Sequence, residues 1–188
     1  MPNEPMPEGL DTPDLECVML NVETLPVRSI YGRDLKEEDF FYGPSSEPKL
    51  KYAQGPVAES DDHPAHLTLL FGIHPSETYV DDVMNALGDW KPEDLFVREV
   101  GYFPSNVEGY DYKAVVAKVL PTPNLLVARK RLETLPFTDQ FAREYQPHIT
   151  LAYITGDADV NDWVRRMNVY FKGRVIYPME LDLGLSDD

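Results

Sequence analysis

The sequence predicts an α+β fold, and three patterns support this class. Strands are predicted at residues 95–103 and 110–120, and the turn-forming residues 104–109 between them indicate a hairpin of antiparallel strands. Elsewhere apolar residues repeat every three or four positions, as in amphipathic helices. A segment at residues 66–71 recurs with the same pattern at residues 148–153. A partly antiparallel sheet with helices packed on it is therefore expected.

The first part of the chain is predicted to be less regular than the rest. Residues 1–14 are acidic and contain four prolines, and we expect a mobile tail there, followed by a single domain at 15–188. Alternating apolar residues predict a strand from Cys17 to Glu23. Residues 25–62 are interrupted by prolines and glycines yet contain many aromatic residues. So long an irregular stretch is more often a functional flap than a simple connection.

Regular elements are predicted from residue 66 onward. Ser76 is expected to cap a helix that Gly88 ends, and Thr122 to cap a second helix with Pro123 at its first position. The full set of predicted elements comprises strands at 66–72, 95–103, 110–120, 148–154 and 174–183, and helices at 79–87, 123–135 and 160–167.

Composition and charge limit the classes of function. The 188-residue chain carries 17 basic and 33 acidic side chains, a formal net charge of −16. A protein that holds long nucleic acid through its phosphates normally has a basic face, so this function is not expected. Residues 1–94 have a net charge of −14 (6 − 20) and residues 95–188 one of −2 (11 − 13). An anionic ligand should therefore prefer the second half of the chain.

The sequence also predicts location, cofactors and assembly. No apolar run approaches the ~20 residues that cross a bilayer, and the acidic start differs from a secretory signal, so a cytoplasmic protein without membrane contact is expected. Cys17 is the single cysteine, which leaves no internal disulfide and no Cys-rich zinc site to predict. Neither a metal nor another cofactor is expected, and the protein should be a monomer or a small homo-oligomer.

The repeated segments carry the candidate chemistry. Both read histidine, apolar, threonine, leucine, apolar, aromatic, and they begin 82 residues apart (148 − 66). Because alternate residues of a strand point to opposite faces, His66 should share a face with Thr68, and His148 with Thr150. The other face is expected to pack against helices through Leu67, Leu69, Phe71, Ile149, Leu151 and Tyr153. If the two units pack about a pseudo-twofold axis, the two His-Thr pairs meet.

Two histidines and two hydroxyls suit phosphodiester cleavage without a metal ion. An imidazole has an ordinary pKa of ~6.5, so near neutral pH one histidine can accept a proton while another donates one. The neutral ring takes a proton from water or a ribose hydroxyl, and the protonated ring gives one to the leaving oxygen. The threonine hydroxyls donate hydrogen bonds to the non-bridging phosphate oxygens as charge develops there.

Paired His-x-Thr strands in a chain of this size resemble the two-histidine (2H) phosphoesterase superfamily. That superfamily includes bacterial RNA cyclic phosphodiesterases (also called 2'-5' RNA ligases), plant and animal cyclic phosphodiesterases, and phage enzymes that destroy cyclic oligonucleotide alarm signals. The resemblance spans residues 17–183. It implies a bilobal, pseudo-twofold fold in which two antiparallel sheets face each other across a cleft, with helices outside. It also implies that His66 and His148 are the catalytic pair and that Thr68 and Thr150 bind phosphate.

Further substrate-binding residues are predicted from chemistry and position. Many family members have a helix where this chain has the aromatic flap, and nucleobases stack on aromatic rings. Base-binding candidates in the flap are Tyr31, Phe41, Tyr42 and Tyr52. Candidates for phosphate contact, near the second motif or on the last strand, are Arg143, Tyr145, Arg174 and Tyr177.

The predicted function is that of a metal-independent phosphodiesterase for a small nucleotide. The bond cut is expected to be a 2',3'-cyclic phosphate, a 2'-5' linkage or a phosphodiester of a cyclic oligonucleotide. One alternative is a non-catalytic sponge or sensor that binds nucleotide on the same fold. Another is a metallohydrolase in which His63 and Asp61 or Asp62 join His66 and His148 around a cation, although this leaves both threonines without a role.

Overall fold

The computed structural model describes residues 15–44, 46–47, 50, 53–60, 64–139 and 144–185. Its strands are β1 (Glu16–Val22), β2 (His66–Ile73), β3 (Leu95–Pro104), β4 (Tyr112–Val119), β5 (His148–Thr155), β6 (Val175–Ile176) and β7 (Pro178–Asp182). Its helices are α1 (Val27–Tyr31), α2 (Tyr79–Leu87), α3 (Pro123–Leu132) and α4 (Val160–Phe171). The strands of the described residues pair antiparallel, which confirms the α+β class.

Several element boundaries differ from the prediction; for example, α4 continues to Phe171 instead of ending at 167. The N-cap residue of helix α2 is Thr78 rather than Ser76. Helix α3 ends at Leu132, and hydrogen-bonded turns, such as that from the Leu135 N–H to the Leu132 carbonyl, continue the chain to Pro136. The predicted last strand is two strands separated at Tyr177, because β6 pairs with β3 whereas β7 pairs with β1. From β2 to α4 the order of helices and strands is as predicted, whereas helix α1 was not predicted.

The strands form one sheet in the order β6-β3-β4-β5-β2-β1-β7. In a flat sheet six strand spacings of about 4.8 Å would separate β6 from β7. Only Tyr177 lies between these two strands in the chain, so the sheet curls until its edges approach each other. The prediction of two separate sheets facing across a cleft is thus not confirmed; two halves of one curled sheet join where β2 meets β5 at Leu67↔Ile149.

The two halves repeat the same strand pairing. Strand β1 pairs with β2 through Cys17↔Phe71, Val18↔Leu70, Met19↔Thr68, Leu20↔Leu67 and Asn21↔His66. Strand β4 pairs with β5 through the equivalent set Ala114↔Tyr153, Val115↔Ala152, Val116↔Thr150, Ala117↔Ile149 and Lys118↔His148. Each β5 residue is 82 positions after its β2 counterpart, so the sequence repeat is also a repeat of register. We call the half around β2 the first lobe and the half around β5 the second lobe.

A β-bulge interrupts both motif strands at the same position. The register steps by one residue beside Leu69 in β2 and beside Leu151 in β5, so the alternation of faces changes phase there. As a result Leu70 and Ala152 are buried beside their leucine neighbours, while Phe71 and Tyr153 are only partly buried. The prediction that Phe71 and Tyr153 share the buried face was wrong, because strict alternation does not continue through a bulge.

Helices cover one face of the sheet and form the main core with it. The strand residues predicted to be buried, Leu67, Leu69, Ile149 and Leu151, belong to this core, which confirms that part of the motif pattern. Its helical members include Val83, Leu87, Leu125, Ala128, Leu132, Trp163, Met167 and Phe171. Burying each large apolar side chain contributes about 1.5–3 kcal/mol. The opposite face, called the histidine face below, carries His66, Thr68, His148 and Thr150.

Strand β2 pairs with β5 at Leu67↔Ile149 alone. Farther along the same edge of β5, residues of the flap provide the backbone partners. The backbone N–H of Phe41 donates to the Tyr153 carbonyl at 2.9 Å, and the Tyr153 N–H donates to Gly55 at 2.8 Å. A bridge between Phe40 and Ile154 continues this pairing. The flap is therefore less irregular than predicted, since it contains α1 and adds backbone pairing to the second lobe.

Residues 136–138 pair with the backbone at the end of β2, as the flap pairs with β5. The absence of a side chain at Gly72 lets these residues approach β2 closely. The Thr138 N–H donates to the Gly72 carbonyl at 2.9 Å, and Gly72 has a φ of 102°. A Cβ at Gly72 would collide with the Thr138 carbonyl oxygen. A Gly72→Ala substitution is therefore expected to lower the free energy of unfolding by at least about 2 kcal/mol, measured by urea titration.

Gly173→Ala is the matched control for this prediction. Gly173 has a φ of 76°, but a Cβ there would meet nothing within 4 Å. Alanine at position 173 is therefore expected to lower the free energy of unfolding by about 1–2 kcal/mol, the cost of the left-handed backbone conformation alone. Equal destabilisation by the two substitutions would show that the contact with Thr138 is unimportant.

Within the described part of the chain, no helix is both long and apolar enough to cross a membrane.

Candidate active site

The register between β2 and β5 brings the two motifs together. The pair Leu67↔Ile149 places His66 opposite Thr150 and Thr68 opposite His148. All four side chains point away from the helix-covered core and are partly buried. The result is a quartet of two histidines and two threonines with pseudo-twofold symmetry.

Both imidazole rings face the carbonyl oxygen two residues before them. The Nδ1 atom of His66 lies 3.4 Å from the Pro64 carbonyl oxygen, and that of His148 lies 2.9 Å from the Gln146 carbonyl oxygen. Because a carbonyl only accepts, Nδ1 carries the hydrogen in each contact. In a neutral ring with its hydrogen on Nδ1, Nε2 is the nitrogen that is able to accept a proton.

The first histidine sits in surroundings that favour its neutral form. Burial lowers the pKa of His66 below its ordinary value of 6.5, while the Pro64 carbonyl and the Asp182 carboxylate act in the opposite direction. The cross-strand neighbour of His66 on β1 is Asn21, a buried polar side chain that is 6% exposed. A neutral imidazole at neutral pH is what a general base requires.

Each threonine hydroxyl has a titratable side chain beside it that the sequence motif does not include. Thr68 interacts with the Cys17 thiol, and burial raises the pKa of that thiol to about 12, so it stays protonated near neutral pH. Thr150 interacts with the Tyr153 phenol, whose pKa burial also raises. Tyr153 reaches this position because of the bulge in β5.

Two further side chains border His148, and sequence reasoning did not identify either. The Phe103 ring packs edge-on against the His148 ring, with centroids 5.0 Å apart. Lys118 is the cross-strand neighbour of His148 on β4. The hairpin of β3 and β4 was predicted from the sequence, but the pairing of β4 with β5 that puts Lys118 beside His148 was not.

Two predicted substrate-binding residues, Tyr31 and Arg174, pack against helix α4 in the structure. Tyr31 packs on Trp163 with ring centroids 4.4 Å apart and donates to Asp162, so α4 holds it on the helix side of the molecule. Arg174 stacks on Tyr170 at the end of α4, and its Nε donates to that residue's carbonyl. The structure therefore does not bring Tyr31 or Arg174 to the quartet, because helix packing holds both.

Tyr145 and Tyr177 lie nearer to the quartet. The Tyr145 hydroxyl donates to the Thr68 carbonyl at 2.8 Å, and the ring lies under the Arg129 guanidinium at 4.5 Å. Tyr145 therefore supports the backbone of β2 rather than presenting its hydroxyl to phosphate. Tyr177 is 56% exposed at the junction of β6 and β7, next to the end of β1 that carries Asn21.

The flap contributes one aromatic residue, Phe41, to the apolar cluster that also contains Tyr153. Phe41 packs on Tyr112 and Tyr110, with ring centroids 5.0 and 6.4 Å away, and Tyr112 packs on Tyr153. Tyr42, which is 49% exposed, donates to Glu37 and covers Gly55 instead. Two other predicted residues, Tyr52 and Arg143, lie outside the described residues.

The alternative metal site cannot be assembled from the residues that the structure describes. Among them, no group of three or more His, Cys, Asp or Glu side chains is arranged to hold a metal ion. The loop residues that this alternative requires, Asp61, Asp62 and His63, lie outside the described part of the chain.

A curled antiparallel sheet with helices on one face and two opposed His-x-Thr strands on the other defines the class of the 2H phosphoesterases. The profile of the 2'-5' RNA ligase superfamily matches residues 49–177, and the chain belongs to this family. The general class of activity that follows from this membership is phosphoesterase.

A solved structure independently shows the same fold. The structure of Kluyveromyces marxianus Usb1 aligns with a TM-score of 0.51 and 8% sequence identity, covering 93% of this chain and 96% of that one. No curated protein matches the sequence.

Proposed function

We propose that this protein is a metal-independent phosphodiesterase that cleaves a small nucleotide by general acid-base catalysis. The observation that carries the proposal is the opposed quartet, in which both imidazoles turn Nδ1 toward a backbone carbonyl. Candidate substrates are a 2',3'-cyclic phosphate, a 2'-5' linkage and a cyclic oligonucleotide. A small ligand suits a chain whose net charge of −16 repels long polyanions.

The environment of His66 supports its role as the general base. Neutral Nε2 of His66 takes the proton from water or a ribose hydroxyl, and that oxygen forms the new bond to phosphorus. The protonated Nε2 of His148, on the opposite strand, gives its proton to the oxygen that leaves. The Thr68 and Thr150 hydroxyls donate to the non-bridging oxygens, whose negative charge grows in the transition state.

Aromatic side chains on the second lobe offer a surface for a nucleobase. Phe103 packs on His148, and Phe41 belongs to the cluster with Tyr112 and Tyr153 beside Thr150. Stacking of a base on such a ring contributes about 1–3 kcal/mol and tolerates different bases. This supports recognition of a nucleotide rather than of a phosphate alone.

A substrate panel tests the proposed function. The panel contains 2',3'-cyclic mononucleotides, 2'-5' oligomers and cyclic di- and trinucleotides, with products separated by chromatography. Hydrolysis of at least one member in the presence of chelator is expected. Recovery of a tightly bound nucleotide unchanged would identify a sponge or sensor instead, and activity that is lost on chelation and restored by a divalent cation would identify a metallohydrolase.

The acid side of the pH profile follows from the environment of His66. In the proposed mechanism activity requires neutral His66, so kcat/KM should rise as the pH increases through the pKa of this residue. Because burial lowers that pKa, the midpoint of the rise should lie below pH 6.5. The Asp182 carboxylate raises this pKa, so Asp182→Asn should move the midpoint to lower pH. Initial rates measured from pH 4 to 9 check both expectations. A midpoint above 6.5 in the wild type would remove His66 from the role of base.

A further inference from the structure

We propose that Lys118 binds the substrate phosphate beside His148 and so fixes which end of the substrate each histidine meets. This inference rests on the phosphodiesterase function proposed above. A quartet with twofold symmetry cannot by itself distinguish the attacking side of a phosphodiester from the leaving side. The distinction must come from positions where the two lobes differ.

The lobes differ in charge at two equivalent positions. Asn21 is the cross-strand neighbour of His66, whereas Lys118 is the cross-strand neighbour of His148. The second pair of equivalent positions lies on the outer neighbours of β1 and β4. Asp182 on β7 pairs with Met19 of β1, whereas Gly101 on β3 pairs with Val116 of β4. Met19 and Val116 are themselves the neighbours of Thr68 and Thr150. Both differences make the second lobe more positive than the first, so an anionic phosphate is attracted to the His148 side.

The missing side chain of Gly101 creates the space that Lys118 occupies. A Cβ added at Gly101 would lie 2.9 Å from Cε and 3.2 Å from Nζ of Lys118. The lysine side chain therefore extends from β4 over β3 on the histidine face, and its ammonium group lies above Gly101, which belongs to the same cross-strand row as Val116 and Thr150. Phe103, two residues beyond Gly101 on the same strand, packs on His148 from the same side.

The ammonium group of Lys118 is available to a ligand. Glu99 is its cross-strand neighbour on β3, but the ion pairs found among the described residues do not include Lys118. The side chain is partly buried, which lowers the screening of its charge by water. A lysine in this setting forms a charge-assisted hydrogen bond with a phosphate oxygen, roughly twice as strong as a neutral one.

The test measures binding separately from turnover. In a His66→Ala background, which is expected to bind but not to cleave, adenosine 2',3'-cyclic monophosphate is titrated by calorimetry with and without Lys118→Met. We expect Lys118→Met to weaken binding by about 10- to 100-fold and to reduce the dependence of Kd on salt. Lys118→Arg should stay within about threefold of the parent, because it keeps the positive charge.

Two further variants separate the local effect from a general loss of charge or stability. Lys130→Met removes an exposed lysine of α3 and should leave Kd unchanged. Gly101→Ala keeps Lys118 but forces its Cε and Nζ to move, so it should weaken binding less than Lys118→Met does. Urea unfolding of each variant identifies any loss of folded protein.

The outcomes distinguish this inference from the proposed function. If the nucleotide binds and the histidine variants lose activity, but Lys118→Met binds within twofold of its parent, the role of Lys118 is overturned and the phosphodiesterase function stands. Equal weakening by Lys130→Met and Lys118→Met also overturns it, because a general charge effect then explains the loss. Absence of binding and turnover across the substrate panel contradicts both proposals.

Discussion

Replacing either His66 or His148 by alanine is expected to lower kcat by about 10²–10⁴-fold, because each replacement removes one of the two proton transfers. The two histidines oppose the two threonines across the pair Leu67↔Ile149, so neither can take over the position of the other. Initial rates on the best substrate of the panel, measured with and without chelator, provide the test. The His66→Ala variant should lose the acid limb of the pH profile along with its rate.

His74→Ala is the matched control for this prediction. His74 directly follows β2, and its Nε2 contacts the Thr138 hydroxyl at 2.8 Å, outside the quartet. Its removal should leave kcat within about twofold of the wild type, as expected for a residue that does not contact substrate. Full activity in both motif variants would overturn the catalytic assignment.

Replacing Leu67 by alanine is expected to lower the free energy of unfolding by about 2–5 kcal/mol. Leu67 is fully buried and belongs to the pair through which β2 and β5 join the two lobes. A cavity at this position removes packing that both lobes share. Urea titration measures the loss, and Leu126→Ala, which truncates a leucine of α3 that is 45% exposed, should cost less than about 0.5 kcal/mol.

The same substitution should also reduce activity in the fraction that remains folded. Catalysis by two histidines on opposite strands depends on their separation, and small displacements of reacting groups can cost about 10²-fold in rate. We therefore expect kcat of Leu67→Ala to fall at temperatures well below its unfolding midpoint. Unchanged stability together with unchanged kcat would mean that the lobes are held in place by other contacts.

In the motif strands, the alternation of apolar residues predicts part of the side-chain orientation correctly and fails for the rest. Alternation correctly predicted that His66 and Thr68 share a face opposite Leu67 and Leu69. It failed from the bulge onward, at Phe71, because one extra residue changes the phase of a strand. A bulge depends on the partner strand, so a single strand read alone does not reveal it.

The predicted substrate contacts show the same limit at the level of the whole fold. Residue type suggested Tyr31 and Arg174, but helix α4 holds both through Trp163 and Tyr170. The sequence offered no means of choosing between an aromatic residue in the core and one beside a ligand. Lys118, in contrast, was overlooked because nothing in its own segment distinguishes it from a lysine exposed to solvent.

The sequence by itself determined the order of helices and strands from β2 to α4 and the duplicated His-x-Thr unit, because these depend on local periodicity and on residue type. Only the tertiary structure decided which strands are neighbours. Register between strands distant in the chain places Lys118 beside His148 and Asn21 beside His66. Such pairing is set by the packing of both lobes on one core, and no segment of the sequence specifies it alone. The symmetry of the site is thus visible in the sequence, while the charge difference that breaks it depends on the fold.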